Sequence, residues 1–375
     1  MDAKIIFQYF LFALIFGCVF SASLFAQPYP YKGIGDGKPA TDVILTLVDG
    51  IAVDREGNIY ISHRSMNRIR KIGKDGIITT VAGNGEAGYS GDGGPGRGAN
   101  LDLPSGIAVD GKGNVIFSDK MNSRLRKIDA NGVISTIAGT GREGYKGNGG
   151  QAIDAALFLP DMITMDKAGN IYLISPQGRS WIVRKISAYG VITLFAGNAV
   201  QGYSGNGGPA REASFHTLKD VAVDAQGNVY LADYINQNIR KIDTGGTIST
   251  VAEENWKLIA DEEIHPSGIA VDAEGNIFVS DSGSSKIRKI DTQGKVTVYA
   301  GNGQFKDFGD GGPAIAAGIR SPGAAWLFRP TATCMSRKRH RTASARSIRT
   351  GPYPWSRARG YPVSAATAAR RHRPS

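Results

Sequence analysis

From Gly50 onward the chain is written in short runs of five or six residues, rich in Val, Ile, Thr and Tyr, separated by Gly-containing polar turns. "GIAVD", "IYIS", "RIRKI" and "IITTVAG" follow one another between Gly50 and Gly83. Runs of that length and β-branched content, bounded by turn residues, predict strands. The turn glycines supply the positive φ that a type I turn followed by a G1 bulge requires. No 3.6-residue apolar period is sustained beyond residue 26, so no long helix is expected there.

The same pattern is written five times. It runs "GIAVDREGNIYISHRSMNRIRKIGKDGIITTVAG" from Gly50 and "GIAVDGKGNVIFSDKMNSRLRKIDANGVISTIAG" from Gly106, with variants from Asp161, Asp220 and Gly268. The units cover about residues 50–83, 106–139, 161–197, 220–252 and 268–301, and their anchors Asp54, Asp110, Asp166, Asp224 and Asp272 stand 56, 56, 58 and 48 residues apart. Gly-rich connections such as "GYSGDGGPGRGANLDLPS" separate them, and an Asp or Asn recurs eighteen residues before each of the first four anchors, at Asp36, Asp92, Asn148 and Asn206. The fourth connection, "EENWKLIADEEIHPS", abandons the pattern and accounts for the short interval. A four-stranded unit with one apolar face buries that face only against its neighbours, so the expected fold is an all-β propeller of four-stranded blades.

The residues "DxxGNIYxSDxxNxRIRKI" closely resemble the NHL repeat, and the "GYSGDGGPA" connections are similar to those of exported bacterial NHL proteins and of the NHL segment of teneurins. The resemblance covers about Lys32 to Pro322 and recurs unit after unit. It implies a six-bladed design with five intact blades, a propeller over residues 27–322, and a corrupted sixth blade in the basic stretch 323–375. Two departures stand out: His63 where other units have Asp119, Asp233 and Asp281, and "SPQGRSW" in place of the usual loop of the third unit.

Composition changes this picture little until charge is placed along the chain. Fifty glycines, sixteen prolines and 21% charged residues suit an all-β chain of tight turns. The net charge of +11 is confined to the end: from Arg329 onward there are twelve Lys and Arg and no Asp or Glu, which leaves the first 328 residues near neutral. Read through the genetic code one base out of register, Pro330–Met335 permits "DGNVY" and Arg341–Ile348 permits "NRIRKID". The tail therefore reads as a sixth repeat frame-shifted near Gly323. Its few apolar residues predict disorder, and its arginines give no specific nucleic-acid partner.

Residues 1–26 have an early lysine, a long apolar run and a small residue before Gln27, the layout of a secretory signal peptide. The expected location is extracytoplasmic, secreted or periplasmic. Membrane attachment enters only if the segment is retained or Cys18 is lipidated, and the other cysteine, Cys334, leaves the mature body without a disulfide.

Candidate chemistry is sparse. "GNGEAG" from Gly83 and "GTGREG" from Gly139 satisfy a dinucleotide pattern, but no helix follows either, so they read as turn glycines. His63, His216 and His265 lie in separate units. The pairs Arg70-Lys71, Arg126-Lys127, Arg184-Lys185, Arg240-Lys241 and Arg288-Lys289 read as solvated or locally balanced. His63, Asp119, Asp233 and Asp281 are candidate ligands for a hard divalent cation such as calcium, with strand-end hydrogen bonding as the plainer role.

The resemblance and the variable loops together point to an exported, non-catalytic scaffold that needs no cofactor and binds a protein, peptide or glycan. Its candidate contacts are Arg179, Trp181, Trp256 and His265. Two alternatives stand beside it: a metal-dependent lyase or lactonase, since six-bladed relatives include such enzymes, and a non-functional product of a damaged reading frame.

Overall fold

The computed structural model describes residues 34–252 and 264–320, and the backbone of three strands beyond them. The signal-peptide reading, Cys18 and Trp256 lie outside the described residues. Among those described, no helix is long and apolar enough to cross a membrane.

The fold is an all-β propeller of antiparallel four-stranded blades. The first blade comprises β2 (Val48–Val53), β3 (Ile59–His63), β4 (Arg68–Ile72) and β5 (Ile77–Ala82), with β1 (Lys38–Pro39) added on the outside of β5. The second runs β6 (Pro104–Val109), β7 (Val115–Asp119), β8 (Arg124–Ile128) and β9 (Ile134–Ala138). The third is β10 (Ile163–Met165), β11 (Ile171–Gln177), β12 (Ser180–Ile186) and β13 (Ile192–Ala196). In the fourth, β14 (Leu218–Val223), β15 (Val229–Asp233), β16 (Asn238–Ile242) and β17 (Ile248–Thr250) pair in chain order. The fifth does the same with β18 (Pro266–Val271), β19 (Ile277–Asp281), β20 (Lys286–Ile290) and β21 (Val296–Ala300).

The anchor turns explain why each hairpin closes where it does. Gly57 N–H donates to the Asp54 carbonyl at 3.1 Å, and Asp54 N–H donates to the Asn58 carbonyl, also at 3.1 Å. Gly57 holds φ at +89°, the conformation expected of a G1 bulge. The Asp54 carboxylate accepts both the Asn58 N–H and its Nδ2, each at 2.7 Å. The same bonds close the turns at Asp110, Asp166, Asp224 and Asp272.

Compactness divides the chain into two units, one running to Met165 with Ile186–Thr193, the other holding Asp166–Lys185 and the chain from Leu194. In the first, Tyr60, Ile69, Leu101, Ile107, Phe117 and Ile128 form one apolar core. In the second, Tyr230, Ile239, Ile269, Ile277, Val279 and Ile290 do the same. The connections add a further strand-like contact: Gly96 N–H bonds the Gly132 carbonyl and Ile134 N–H bonds the Gly94 carbonyl. Gly37 to Ile78 and Ala40 to Gly76 repeat this at the first blade, so β1 is the same device and residues 34–47 are a connection.

The C-terminal stretch is more structured than its composition predicts. Pro322–Arg329 (β22), Thr333–Lys338 (β23) and Arg346–Arg349 (β24) form a three-stranded antiparallel sheet. Its first strand begins at a proline, as β6 and β18 do, and the Ser267 hydroxyl donates to the Pro322 carbonyl at 2.8 Å. The backbone of β22 thus begins where a further blade would begin, and low apolar content alone did not predict that pairing.

Candidate functional site

The polar residues that recur in every unit are the first candidates, and most are engaged within their own blade. Asp119, at the end of β7, is fully buried and accepts the Asp102 N–H at 2.7 Å and Asn122 Nδ2 at 2.8 Å. Burial pushes its carboxyl up to about 6 against the pull of Asp102, Asn122 and Arg126. Asp233, at the end of β15, accepts the His216 N–H at 3.3 Å and Asn236 Nδ2 at 2.8 Å, and burial again raises it to about 6. Asp281 accepts the His265 N–H at 3.0 Å, the Ser284 hydroxyl at 2.5 Å and Arg288 Nε at 2.9 Å. These carboxylates tie the loop entering a blade to the end of that blade's second strand. Among the described residues, no three His, Cys, Asp or Glu side chains gather as a metal ion would require.

His63 occupies the same position in the first blade and behaves differently. It is 2% exposed and neither ring nitrogen has a hydrogen-bond partner. Burial, then the positive charges of Arg70 and Arg68, push its imidazole down to about 4, against a smaller opposing pull from the Thr46 backbone.

The arginines of the Arg-Lys pairs are not solvated: Arg70, Arg126 and Arg240 are 0% exposed and Arg184 and Arg288 are 1% exposed. Each guanidinium so enclosed needs internal acceptors. Arg126 Nη2 meets Asp92 at 2.6 Å, Arg70 Nη2 meets Asp36 at 2.8 Å, and Arg240 Nη2 meets the side-chain Oδ1 of Asn206 at 2.9 Å. Tyr89 covers Arg126 with its ring 4.9 Å away and hydrogen-bonds Asp92 at 2.9 Å. Tyr203 covers Arg240 in the same manner. The "GYSGDGG" connections are therefore clamps on buried arginines, a role that the sequence reading did not assign. The lysine partners are half-buried, and Lys71, Lys185, Lys241 and Lys289 lie over aromatic rings of the second strands.

What remains for an external partner is where the repeat is broken. In the third blade β11 and β12 are seven residues long, against five in the corresponding strands of the others, and they carry the hairpin beyond the usual loop. Gly178, at φ +61°, and Arg179 are exposed at its tip, while Trp181 is half-buried. Ser180 is buried and anchors the hairpin through bonds to the Phe215 carbonyl at 2.8 Å and the Val200 carbonyl at 3.1 Å. Arg179 thus projects from a fixed base. His265, at the entry of the fifth blade, is half-buried and packs on Tyr234 with ring centroids 5.0 Å apart. Arg179 and Trp181 share one hairpin, and His265 belongs to a different blade.

The family model described as "Teneurin NHL domain" matches residues 18–90, 84–146 and 199–263, just over half of the chain, and an NHL repeat model matches residues 264–290. Human teneurin-1 is 29% identical over 239 residues, which cover 57% of this chain and 9% of that protein. The chain thus spans less than a tenth of the length of the curated relatives it matches. Among solved structures, a protein of unknown function from Bacteroides thetaiotaomicron superposes with a TM-score of 0.58 at 17% identity, over 84% of this chain and 72% of that one. The calcium-binding protein regucalcin from Agrobacterium tumefaciens superposes with a TM-score of 0.52 at 13% identity, over 81% of this chain and 85% of that one. At such identities the likeness is one of fold.

Proposed function

The chain belongs to the teneurin NHL domain family, and from that premise we propose that it is a non-catalytic binding scaffold that engages a protein partner outside the cytoplasm. The observation that carries this reading is the third-blade hairpin. The recurring Asp, Asn, Arg and Tyr side chains are bonded within the repeats, whereas Arg179 stands exposed at the tip of strands two residues longer than their counterparts. A rigid base with a projecting arginine and a nearby tryptophan has the composition of a contact that contributes much of an interface's affinity. Extracytoplasmic placement is supported by the layout of residues 1–26 and by the match to teneurin NHL segments. A lyase or lactonase needs a convergent His or acidic cluster, and no such cluster among the described residues favours that reading.

A photo-crosslinking residue placed at position 179, in the protein made by its own producing cell, tests the proposal. A discrete crosslinked protein from position 179, absent when the residue is placed at the 90% exposed Tyr189, is the expected result. The same crosslinks from both positions, or none from position 179, would overturn it.

A further inference from the structure

The outer strand of a blade is an open sheet edge unless something pairs with it, and four blades cover theirs in one way. In the second, Gly93 N–H donates to the Ile134 carbonyl at 2.8 Å and Ile134 N–H donates to the Gly94 carbonyl at 3.0 Å. Gly149 and Gly150 hold Ile192 of the third blade by the same two bonds, and Gly207 and Gly208 hold Ile248 of the fourth. In the first, Gly37 N–H donates to the Ile78 carbonyl at 2.9 Å and β1 continues the pairing antiparallel. Val296 is the corresponding residue of the fifth blade: it opposes Ile290 in β20 as Ile134 opposes Ile128 in β8. Among the described residues nothing bonds its outward N–H or carbonyl.

The residues along that edge differ too. At the next outward position Thr80 Oγ1 bonds Asp36 at 3.0 Å, Thr136 N–H bonds Asp92 at 3.0 Å and Thr250 Oγ1 bonds Asn206 at 3.1 Å. The fifth blade has Val298 there, as the third has Leu194. Where the other blades have Ile77, Val133, Val191 and Thr247, the fifth has the exposed Lys295. Asp291 Oδ1 accepts the Gln293 and Lys295 N–H groups at 3.0 and 2.9 Å, which closes the turn behind it. The connection into this blade, "EENWKLIADEEIHPS", lacks the Gly-Gly pair that covers blades two to four, and the anchor interval across it is 48 residues against 56 across the first two. An edge lysine disfavours pairing with a strand that offers it no negative charge.

We propose that the outer edge of β21 takes an extended segment of another protein as an added antiparallel strand, with apolar side chains on its Val296 and Val298 face and acidic ones on its Lys289 and Lys295 face. Main-chain bonds to Val296 and Val298 set the register of such a strand, and its alternate side chains set the choice of partner. Val296 packs against the apolar core of its unit, so an apolar residue beside it extends that surface. A carboxylate opposite Thr297 has Lys289 across the ladder and Lys295 two residues along on the same face. A second copy of β21 has no acidic residue from Lys295 to Ala300 to offer those lysines, which favours a different protein. The edge belongs to the fifth blade and the hairpin contact to the third, so either can fail alone.

A fluorescein-labelled, amidated peptide Thr-Val-Glu-Val-Glu-Val is the probe. Fluorescence anisotropy with the full chain and hydrogen exchange of the Val296 and Val298 amides are the readouts. The expected result is saturable binding, with both amides exchanging about tenfold more slowly or better when the peptide is bound. The same peptide with lysine in place of glutamate, or N-methylated at its valines, should bind about tenfold more weakly or worse. Lys295→Glu should reduce or invert the preference for the glutamate peptide. Val296→Pro, which removes an outward N–H from an edge strand, should lose the binding. No binding to the parent chain, or equal binding of the lysine or N-methylated peptide, would overturn the proposal. So would amides already protected in the chain alone, whether by residues 253–263 or, at higher concentration, by a second copy. The parent-chain comparisons decide the matter even if Val296→Pro does not fold.

Discussion

Arg126 and Asp92 stand 34 residues apart in sequence and meet at 2.6 Å, the guanidinium wholly enclosed and the carboxylate one-third exposed. The pair joins the third strand of a blade to the connection that leads into it. Asp36 with Arg70 and Asn206 with Arg240 keep the same interval of 34. The clamp is therefore part of the repeat itself.

Removing one partner from such a pair leaves an uncompensated buried charge. Asp92→Ala should destabilise the fold by about 2–4 kcal/mol, below the full range for an enclosed pair because Asp92 is partly solvated. Asp92→Asn should cost no more than about 1–2 kcal/mol, since Asn206 already serves Arg240 in the same place. Denaturant unfolding of the two variants checks the order; equal losses would show that the charge, not the acceptor oxygen, matters at this position.

The pH response of the first blade follows from His63. Its folded-state value of about 4 lies below the ordinary 6.5, because burial and the charges of Arg70 and Arg68 disfavour the imidazolium. The fold thus binds fewer protons than the unfolded chain between these values, so this contribution is present above pH 6.5 and is lost as pH falls toward 4. Asp119 and Asp233, raised to about 6, act in the opposite sense: their contribution is present below about pH 4 and is lost as pH rises through 6. Comparison with His63→Gln isolates the histidine. Between pH 7 and 4.5 the parent should lose on the order of 2–3 kcal/mol more stability than the variant, and parallel stability curves would count against the buried neutral imidazole.

Glycine matters at Gly106 for reasons of space. A Cβ there would stand 2.5 Å from Ile163 N, 2.6 Å from the Asp161 carbonyl oxygen and 2.7 Å from Met162 Cα, all backbone atoms. Gly106→Ala should therefore force the facing strands apart and cost upwards of about 3 kcal/mol. At Gly113, φ +82° with nothing within 4 Å, the same change meets only conformational strain of about 1–2 kcal/mol. Unfolding midpoints of the two variants should differ in that order.

How much of this could be read from sequence varies with the range of the interaction. The hairpin turns were legible because Asp54, Gly57 and Asn58 act within five residues of one another, and the blades because the anchors recur, 56 to 58 residues apart over the first four. The connection residues Asp36, Asp92 and Asn206 were visible as a recurring position, and the Arg-Lys pairs as another, yet the constant spacing between them was not joined into a clamp. Alternation gave no guidance: Ile69 and Arg70 are consecutive and both buried, because a middle strand is covered on both faces. The long third hairpin was legible as an altered loop but not as two extended strands, since "SPQGRSW" carries no strand period.

The last prediction concerns the C-terminal stretch. It begins at Pro322 as β6 begins at Pro104 and β18 at Pro266, and its sheet has three described strands where the other blades have four. The residues that would complete it are legible only one base out of frame, where "DGNVY" and "NRIRKID" restore the β-branched pattern of the repeat. A blade so restored would present an apolar face to its neighbour, and burial at roughly 25 cal/mol per Å² favours that packing. The frame-restored variant should therefore melt several degrees higher than the chain as written, aggregate less, and protect the segment after Pro322 from protease. Equal melting midpoints, with the arginine-rich stretch already protected, would mean that the written sequence completes the blade by its own means.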